Sequence, residues 1–314
     1  MDKKTLVQRN AEEVLGEDQL RGILKKKKPI VYCGYETSGE IHLGHLLTIT
    51  KLLDCMKAGF HVKVLFADWH TWLNRKGDWD FIHDQVKSWE KGFKASGLEK
   101  AEFVLGSSYQ RSMEYIDDVL LMSLDTTLNR GIRSMQQVAR DVDHAKISQV
   151  IYPLMQIEDI KCLKVDAVVS GIDQRKIHML GTELFPLIKY HSPTFIHMPI
   201  IPSLQGPGKM SSSDKSSFIS IRDSDKDILQ KVKNAFCPLE TRDNSVLSVA
   251  KLIVFPRFEK LTLQRDAKYG GNIELSSYEE LEKLYLSGKI HPADLKQLVG
   301  QYLVQIIQPI RKAF

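Results

Sequence analysis

Residues 29–68 alternate between two strand patterns and one helical pattern, and this alternation constrains the fold more than any other feature of the chain. PIVYCGY (29–35) is rich in β-branched and aromatic residues, and HVKVLFAD (61–68) has the same character. Between them, apolar residues recur at helical spacing from His42 until Gly59. A strand, a helix and a second strand in this order predict neighbouring parallel strands of a doubly wound sheet.

Similar patterns extend over the rest of the chain. Further strands are predicted at 101–106, 165–171 and 194–201, with a mostly helical stretch at 112–162. Residues 3–28 favour two short helices broken at Gly16.

The strand signal fades after NAFCPLE (234–240), and a last amphipathic helix is predicted from His291 onward. A domain boundary is therefore predicted near residue 236, with a catalytic domain over 1–235 and a small helical domain over 236–314.

Composition is that of an ordinary globular protein, with 43% of the 314 residues hydrophobic and 26% charged. No run approaches the roughly 20 apolar residues of a membrane span, and the N-terminus lacks the apolar region of a secretory signal. A cytoplasmic protein with no membrane partner is expected. The net charge of +5 permits a polyanionic partner without requiring one. The four cysteines show no C-x-x-C spacing, so neither a structural metal nor a disulfide framework is predicted.

The segment GEIHLGHLL (39–47) lies at the first strand-to-helix turn, where doubly wound sheets bind their ligands. His42 and His45 share one face of the first helical turn, and each imidazole can donate a hydrogen bond to a phosphate oxygen. Gly44 leaves space for close approach of a ligand, and a helix start offers free backbone N–H groups. The segment predicts a nucleoside triphosphate site. Taken alone, it is equally typical of histidines that cap or pack against a helix.

A second segment, GPGKMSSS (206–213), strengthens this prediction. Gly206, Pro207 and Gly208 favour a mobile turn, Lys209 supplies a point charge, and the serines supply hydroxyls. Alone this is an unremarkable polar loop. Together with an H-x-G-H segment at the first helix, it is highly specific.

The two segments resemble the signatures of the class I aminoacyl-tRNA synthetases, H-I-G-H and K-M-S-K-S. Over nearly the whole chain, the resemblance is to the tyrosyl-tRNA synthetase family in its short archaeal and eukaryotic form. The segments that carry it are VYCGYETSGEIHLGH, LFADWHTWLN, YPLMQIEDI, VDAVVSGIDQRKIHML, GKMSSS and IHPADLK. Two positions depart from the signatures. Leu43 replaces isoleucine, and Ser213 replaces the second lysine, for which Lys215 is a nearby but unproven substitute.

The resemblance implies an α/β fold, a Rossmann-like doubly wound parallel sheet with a helical insertion and a C-terminal helical domain. It implies a homodimer formed through the insertion near 112–162, and anticodon binding by the C-terminal domain. The implied reaction activates L-tyrosine with ATP and Mg²⁺, without a structural metal, and transfers it to tRNA(Tyr). The implied catalytic residues are His42, His45 and Lys209, and the implied ATP-binding residues are Gly39, His42, Gly44, His45, Lys209, Met210, Ser211 and Ser212.

The resemblance also implies a tyrosine pocket. Tyr32 and Asp159 match the residues that bind the phenol hydroxyl. The implied ammonium ligands are Tyr152, Gln156 and Gln174, and the remaining pocket residues are Glu36 and His70. Without the resemblance, a buried strand tyrosine and a solvated helix aspartate are the simpler interpretations of the first pair, and His70 is equally typical of a residue packed at a strand end.

For tRNA, Asp294 matches the residue that reads the first anticodon base, since a carboxylate accepts paired N–H donors from guanine. His291 lies in the same matched segment. Arg133 and Arg175 lie in segments suited to the acceptor stem. An aspartate at a helix start is otherwise most often a cap.

Two alternatives stay open at this stage. A tryptophan-specific class I synthetase carries similar signatures, and a catalytically inactive paralogue could bind RNA. Intact His42, His45 and Lys209 argue against the second. A small nucleotidyltransferase also uses H-x-G-H, but needs neither the K-M-S-S-S segment nor the helical C-terminal region.

Overall fold

The computed structural model describes residues 1–138, 144, 146–210 and 214–314, and the described chain divides into two compact units. Unit 1 comprises Met1–Ser38, Lys51–Glu90 and Leu98–Pro199; unit 2 comprises Gly39–Thr50, Lys91–Gly97 and Ile200–Phe314. The predicted domains 1–235 and 236–314 divide the chain by sequence, and that division stays a prediction.

A six-stranded sheet lies in unit 1, with the strand order β1-β6-β5-β2-β3-β4. Its strands are β1 (Glu13–Leu15), β2 (Ile30–Tyr35), β3 (His61–Phe66), β4 (Glu102–Leu105), β5 (Ala167–Gly171) and β6 (Thr194–Met198). Strands β2 to β6 are parallel, as predicted, and β2 pairs with both β3 and β5. The α/β class and the doubly wound parallel arrangement are therefore confirmed.

The prediction of only two short helices in residues 3–28 is wrong, because this segment also contains the edge strand β1. Residues 3–28 form helices α1 (Lys3–Gln8) and α2 (Glu17–Ile23), but β1 lies between them and pairs antiparallel with β6. Three residues are too few for a periodic pattern, so this strand depends on its partner rather than on local preference. The sheet is consequently mixed rather than purely parallel.

One apolar core of unit 1 combines residues of strands β2, β3, β5 and β6 with residues of the helices packed on them. Strands β5 and β6 are buried along nearly their whole length, as expected for central parallel strands covered on both faces. Helices α6 (Met113–Leu124) and α8 (Ile147–Cys162) pack against each other, and Tyr115, Met122 and Ile157, all at most 1% exposed, belong to the same core.

The remaining helices of the chain up to residue 184 follow the sheet connections. They are α3 (Leu43–Lys57), α4 (Asp68–Leu73), α5 (Trp79–Phe93), α6 (Met113–Leu124), α7 (Leu128–Met135), α8 (Ile147–Cys162) and α9 (Arg175–Leu184). The predicted helical stretch 112–162 contains α6, α7 and α8. The predicted helix end at Gly59 is also seen, since α3 ends at Lys57 and Gly59 has φ 101°.

Unit 2 contains two small strand pairs and four α-helices within its described residues beyond 200. The strands are β7 (Pro202–Ser203), β8 (Gly206–Lys209), β9 (Leu261–Leu263) and β10 (Ile273–Leu275), and the helices are α10 (Asp225–Asn234), α11 (Ser245–Val249), α12 (Tyr278–Leu286) and α13 (Pro292–Arg311). The turn predicted at Gly206–Gly208 is instead strand β8, paired with β7. The pair β9–β10 was also missed, because each strand has only three residues. No helix of the described residues is long and apolar enough to cross a bilayer.

Lys51 anchors the N-terminal segment within unit 1. Its side chain is 1% exposed, and Nζ donates to the carbonyls of Leu6 (3.0 Å), Val7 (3.1 Å) and Arg9 (2.5 Å). These carbonyls lie at the end of α1, where no further helical turn supplies donors. Burial lowers the pKa of the amine, and Asp54 at 3.6 Å opposes this effect.

We therefore expect Lys51→Met to lower the free energy of unfolding by about 3 kcal/mol, because it leaves buried carbonyls unpaired. Urea denaturation followed by circular dichroism measures this. Lys57→Met, at an exposed position of the same helix, is the control and should stay within about 0.5 kcal/mol of the parent. Equal effects of the two changes would contradict the anchoring role.

Candidate functional site

Asp159 on α8 is a buried carboxylate with two very different oxygens. The residue is 1% exposed. Its Oδ1 accepts hydrogen bonds from the hydroxyl of Tyr109 (2.8 Å), the amide of Gln110 (2.8 Å) and the hydroxyl of Tyr115 (3.0 Å). Its Oδ2 has no hydrogen-bond partner among the described residues. A buried acceptor without a donor is costly, so this oxygen indicates a binding site for a polar ligand group.

The electrostatics of this carboxylate are a balance of opposing effects. The pKa of Asp159 is raised, because burial outweighs the opposing effects of the nearby His70 and of the hydrogen bonds from Gln110, Tyr109 and Tyr115. Burial, with the nearby Asp159 charge, raises the pKa values of Tyr109 and Tyr115 well above the usual range. Both tyrosines therefore remain protonated and act as hydrogen-bond donors.

Two further predicted residues face the same carboxylate. Tyr32 on β2 is 2% exposed, and both burial and Asp159 raise its pKa. His70 on α4 is also 2% exposed, and its Nε2 lies 3.8 Å from Asp159 Oδ2. That nitrogen has no hydrogen-bond partner within the described chain. The structure therefore brings the predicted hydroxyl-binding pair together and adds an unpaired imidazole nitrogen beside it.

The predicted ammonium ligands also lie in this region. The ring centroids of His70 and Tyr152 are 4.5 Å apart, and Gln156 donates to Gln174 Oε1 at 3.4 Å. Glu36 has partners of its own, because it accepts a hydrogen bond from Asn74 (2.9 Å) and pairs with Lys76. Its part in binding stays a prediction.

The H-x-G-H segment of unit 2 caps its own helix. The Nδ1 of His42 accepts from the N–H of Gly44 (3.1 Å), and the Nδ1 of His45 accepts from the N–H of His42 (3.1 Å). Both histidines therefore cap the helix, and each does so through its Nδ1 atom. In the neutral rings the proton lies on Nε2, which leaves that atom as the donor of each imidazole.

The sequence predicts free backbone N–H groups at this helix start, and that prediction is wrong. The N–H of Leu43 donates to Ile219 O (3.1 Å), that of Gly44 to His42, and those of His45 and Leu46 to His42 O (2.9 and 3.1 Å). The first turn is thus already satisfied, so any phosphate contact here depends on side chains rather than on the backbone. Gly39, before this turn, has φ 81°, which favours glycine.

Burial lowers the pKa of His42 to about 4, so the ring is neutral at physiological pH. A Cβ on Gly44 would lie only 2.9 Å from His42 Cε1 and 3.1 Å from its Nδ1. The His42 ring itself therefore occupies the space beside Gly44. Packing against this ring requires a glycine here, whether or not a ligand also approaches.

The segment that follows the lysine-serine signature is hydrogen-bonded to the histidine signature. Ile221 N donates to Ile41 O (3.0 Å), His42 and Ser220 form an antiparallel bridge, and the His42 ring lies 5.1 Å from that of Phe218. The two signatures thus belong to one unit. Of Lys209, only the backbone is described, at the end of β8, and Met210 is half-buried. Ser211 and Ser212 lie outside the described residues.

The predicted anticodon residues lie at the start of α13 in unit 2. His291 Nδ1 accepts from Ala293 N (3.2 Å), and Asp294 Oδ2 accepts from His291 N (3.3 Å), so both residues cap the helix. Asp294 also lies 3.5 Å from Arg265 Nη1. Asp294 borders a groove of about 540 Å³, lined by Gln264, Arg265, Asp266, Tyr269, Asn272, Asp294 and Gln297.

The two arginines predicted to contact the acceptor stem differ in their surroundings. Arg133 on α7 is exposed. Arg175 at the start of α9 pairs with Glu13 on β1 (2.8 Å), and the same carboxylate accepts from His197 Nδ1 (2.9 Å). Arg175 is therefore held by the edge strand that the sequence prediction missed.

Sequence reasoning also missed Tyr109, Gln110 and Tyr115. A signal for the first two exists, because they follow the carboxyl end of strand β4, the edge at which doubly wound sheets bind ligands. Tyr115 carries no such signal, since it is an apolar-face residue of α6 like its neighbours.

The chain is similar to known proteins along nearly its whole length. The family described as tRNA synthetases class I (W and Y) matches residues 24–308. The chain is 48% identical to a tyrosine–tRNA ligase of Archaeoglobus fulgidus, covering 99% of this chain and 97% of that one. It is 47% identical to a tyrosine–tRNA ligase of Methanospirillum hungatei, covering 99% of each. The crystal structure of the A. fulgidus tyrosyl-tRNA synthetase complexed with L-tyrosine superposes with a TM-score of 0.96, at 48% identity, and covers 99% of this chain and 98% of that one.

If His42 contacts ATP as predicted, Gly44→Ala should weaken ATP binding about tenfold, because the added methyl displaces the His42 ring and its hydrogen bond. Isothermal titration calorimetry with ATP measures the change. Gly22→Ala is the matched control, since a Cβ there meets no atom within 4 Å. Wild-type ATP affinity in Gly44→Ala would refute this role of the glycine.

Proposed function

The chain belongs to the class I tRNA synthetase family of the tryptophan and tyrosine enzymes, and on this premise we propose that it charges tRNA with tyrosine. The carboxylate of L-tyrosine attacks the α-phosphorus of ATP, which gives tyrosyl-adenylate and pyrophosphate. The acyl group then passes to the 3′-terminal adenosine of tRNA(Tyr). The relatives compared above are tyrosine–tRNA ligases matched along 99% of this chain, which favours this activity over a tryptophan-specific enzyme or an inactive RNA-binding paralogue.

One observation within the chain carries the choice of amino acid: the unpaired Oδ2 of Asp159 in a buried pocket. A phenol hydroxyl donates to this oxygen and can accept from a neighbouring donor, such as the Tyr32 hydroxyl. Phenylalanine offers neither group, so it would leave the buried carboxylate oxygen unpaired. An indole N–H can only donate, which leaves any donor beside Asp159 without an acceptor.

Tyr152, Gln156 and Gln174 are proposed to hold the substrate ammonium. Two of them, Tyr152 and Gln156, are one helical turn apart on α8, so they share a face. Side-chain oxygens without charge suit a group that must be held and then released with the product.

The tyrosine carboxylate is already a nucleophile, so the reaction needs no side-chain base. Alignment and stabilisation of phosphate charge supply the catalysis. His42 and His45 are proposed to donate through Nε2 to the triphosphate, and Lys209, with Met210, Ser211 and Ser212, to approach it from the other signature. Gly39 and Gly44 shape the turn that presents the imidazoles.

Mg²⁺ is proposed to accompany ATP as part of the substrate complex. Among the residues that the structure describes, no group of three His, Cys, Asp or Glu side chains is placed to hold a metal ion. Phosphate oxygens and water are the ligands that Mg²⁺ prefers in such complexes.

The groove beside Asp294 is proposed to bind an unpaired anticodon base. Tyr269, 65% exposed, offers a ring for stacking, while Asp294 offers a carboxylate acceptor to guanine N–H groups. His291 shapes this helix start, and Arg133 and Arg175 are proposed to contact the acceptor stem. The cytoplasm is the proposed compartment, in keeping with four free cysteines.

A homodimer through α6 is proposed from the two apolar faces of that helix. Tyr115, Val119 and Met122 are buried within unit 1. The opposite face exposes a stripe of large apolar side chains: Met113 (82%), Ile116 (41%), Leu120 (58%) and Leu124 (82%). A helix that is apolar on both sides is normally buried on both, and a second copy of the chain is the proposed cover.

Leu120→Lys should convert the dimer to a monomer of half the mass, because it places a charge in the centre of the apolar stripe. Sedimentation equilibrium measures the mass. Leu239→Lys, at a leucine that is 65% exposed in unit 2, should leave the dimer intact. A monomeric wild-type protein would contradict the proposed dimer.

Pyrophosphate exchange in the presence of each of the twenty amino acids tests the proposed function. Exchange should depend on tyrosine, with phenylalanine and tryptophan giving far lower rates, because only the phenol hydroxyl can both donate to the buried Asp159 oxygen and accept from a donor beside it. Charging of total tRNA with the preferred amino acid then tests the second step. Preferential exchange with tryptophan, or no exchange with any amino acid, would overturn the proposal.

A further inference from the structure

We propose that Tyr109, Gln110 and Tyr115 set the preference for tyrosine, as positioning residues that shape the hydroxyl site without contacting the substrate carboxylate or ammonium. This inference rests on the proposed function. It assigns the tyrosine specificity to the surroundings of Asp159 as well as to Asp159 itself.

The first step is the saturation of one carboxylate oxygen. The three donors converge on Oδ1 of Asp159 at 2.8, 2.8 and 3.0 Å. A carboxylate oxygen has about two lone-pair sites, so three donors leave it no capacity for another. The charge-assisted bonds also fix the plane of the carboxylate, because the donors come from different elements. Only Oδ2 remains for a substrate.

The second step concerns the ring of His70. The amide nitrogen of Gln110 has two hydrogens, and after donating to Asp159 it lies 3.4 Å from His70 Nδ1. An amide N–H can only donate, so Nδ1 is the accepting nitrogen and the ring proton lies on Nε2. Gln110 therefore orients a carboxylate and an imidazole at the same time.

The result is a matched donor and acceptor. His70 Nε2 and Asp159 Oδ2 lie 3.8 Å apart, too far for a direct hydrogen bond, and both lack partners within the described residues. A single hydroxyl oxygen can lie within hydrogen-bond distance of both, donating to Oδ2 and accepting from Nε2–H. Phenylalanine in the same pocket would leave both groups unpaired, which adds a second penalty to its rejection.

The donors are themselves held rigidly. The N–H groups of Tyr109 and Gln110 donate to Gly106 O at 3.1 and 3.0 Å, forming a tight turn after β4. A Cβ on Gly106 would lie 2.6 Å from the Gln110 side chain and 2.9 Å from Asp68. The hydroxyl of Tyr115 also contacts Met155 O at 2.8 Å. Such fixed donors keep their geometry whether or not substrate is bound.

Tyr109→Phe tests the inference, since it removes one hydroxyl and keeps the ring. Pyrophosphate exchange gives kcat/KM for tyrosine and for phenylalanine, and the ratio of the two is the readout. We expect the ratio to fall about tenfold, because losing a hydrogen bond to a charged group weakens the tyrosine transition state selectively. Tyr115→Phe should act in the same direction.

Tyr190→Phe is the matched control. Its hydroxyl donates to Val165 O (3.0 Å), and its ring packs against the same apolar core of unit 1. Removing it deletes a comparable hydrogen bond without touching Asp159, so the tyrosine-to-phenylalanine ratio should stay that of the wild type.

The pH profile supplies a second readout. The groups that face Asp159 are Tyr32 from β2, His70 from α4, Tyr109 and Gln110 after β4, Tyr115 from α6, and Tyr152 and Cys162 on its own helix. The donors lower the pKa of Asp159 against the effect of burial, so losing one raises it. The carboxylate is then protonated at a higher pH, and the acid limb of kcat/KM for tyrosine should move upward in pH.

The outcomes separate this inference from the proposed function. A lower ratio and a shifted acid limb in Tyr109→Phe, with neither in Tyr190→Phe, support it. Parallel losses for both amino acids, an unchanged ratio, or an unshifted acid limb overturn it. If the wild type does not activate tyrosine at all, the proposed function itself fails.

Discussion

The burial of the Asp159 carboxylate is the constraint on which the rest of unit 1 depends. A charge with 1% exposure in an apolar core is stable only when its surroundings donate to it. The donors come from the turn after β4 and from the first turn of α6, while His70 approaches from α4. Two connections of the sheet, from β3 to β4 and from β4 to β5, therefore have to meet at one point. That requirement places the pocket at the carboxyl edge of the parallel strands.

The histidine signature shows why structural and chemical interpretations of one residue need not compete. His42 and His45 use Nδ1 to cap their own helix, which fixes the rings and assigns the proton to Nε2. A similar division appears at α13, where Asp294 caps the helix and also borders the groove. Local capping thus orients side chains that are also proposed to contact a ligand.

Much of the fold and part of the site could be predicted from patterns within short windows. The strands around 29–68 are long and apolar, so their pairing was predictable, and the pocket residues on α8 came from a resemblance that spans the chain. Strand β1 was not predictable, because pairing with β6, far away in the chain, rather than local preference holds it in place. Strand β8 was not predictable because its partner β7 has only two residues and gives no strand pattern of its own. The glycines at 206 and 208 predict a turn, but these residues form a strand because they pair with β7.

The sequence by itself determined the α/β class, the two signatures and the residue types that a tyrosine-activating site requires. Only the tertiary structure decided which oxygen of Asp159 stays available and which nitrogen of His70 carries its proton. The reason is physical: local order depends on neighbours within a few residues, whereas the state of a buried polar atom depends on every group packed around it. Tyr109 and Gln110 lie about fifty residues from Asp159 in the chain, and no local pattern records that they converge on it.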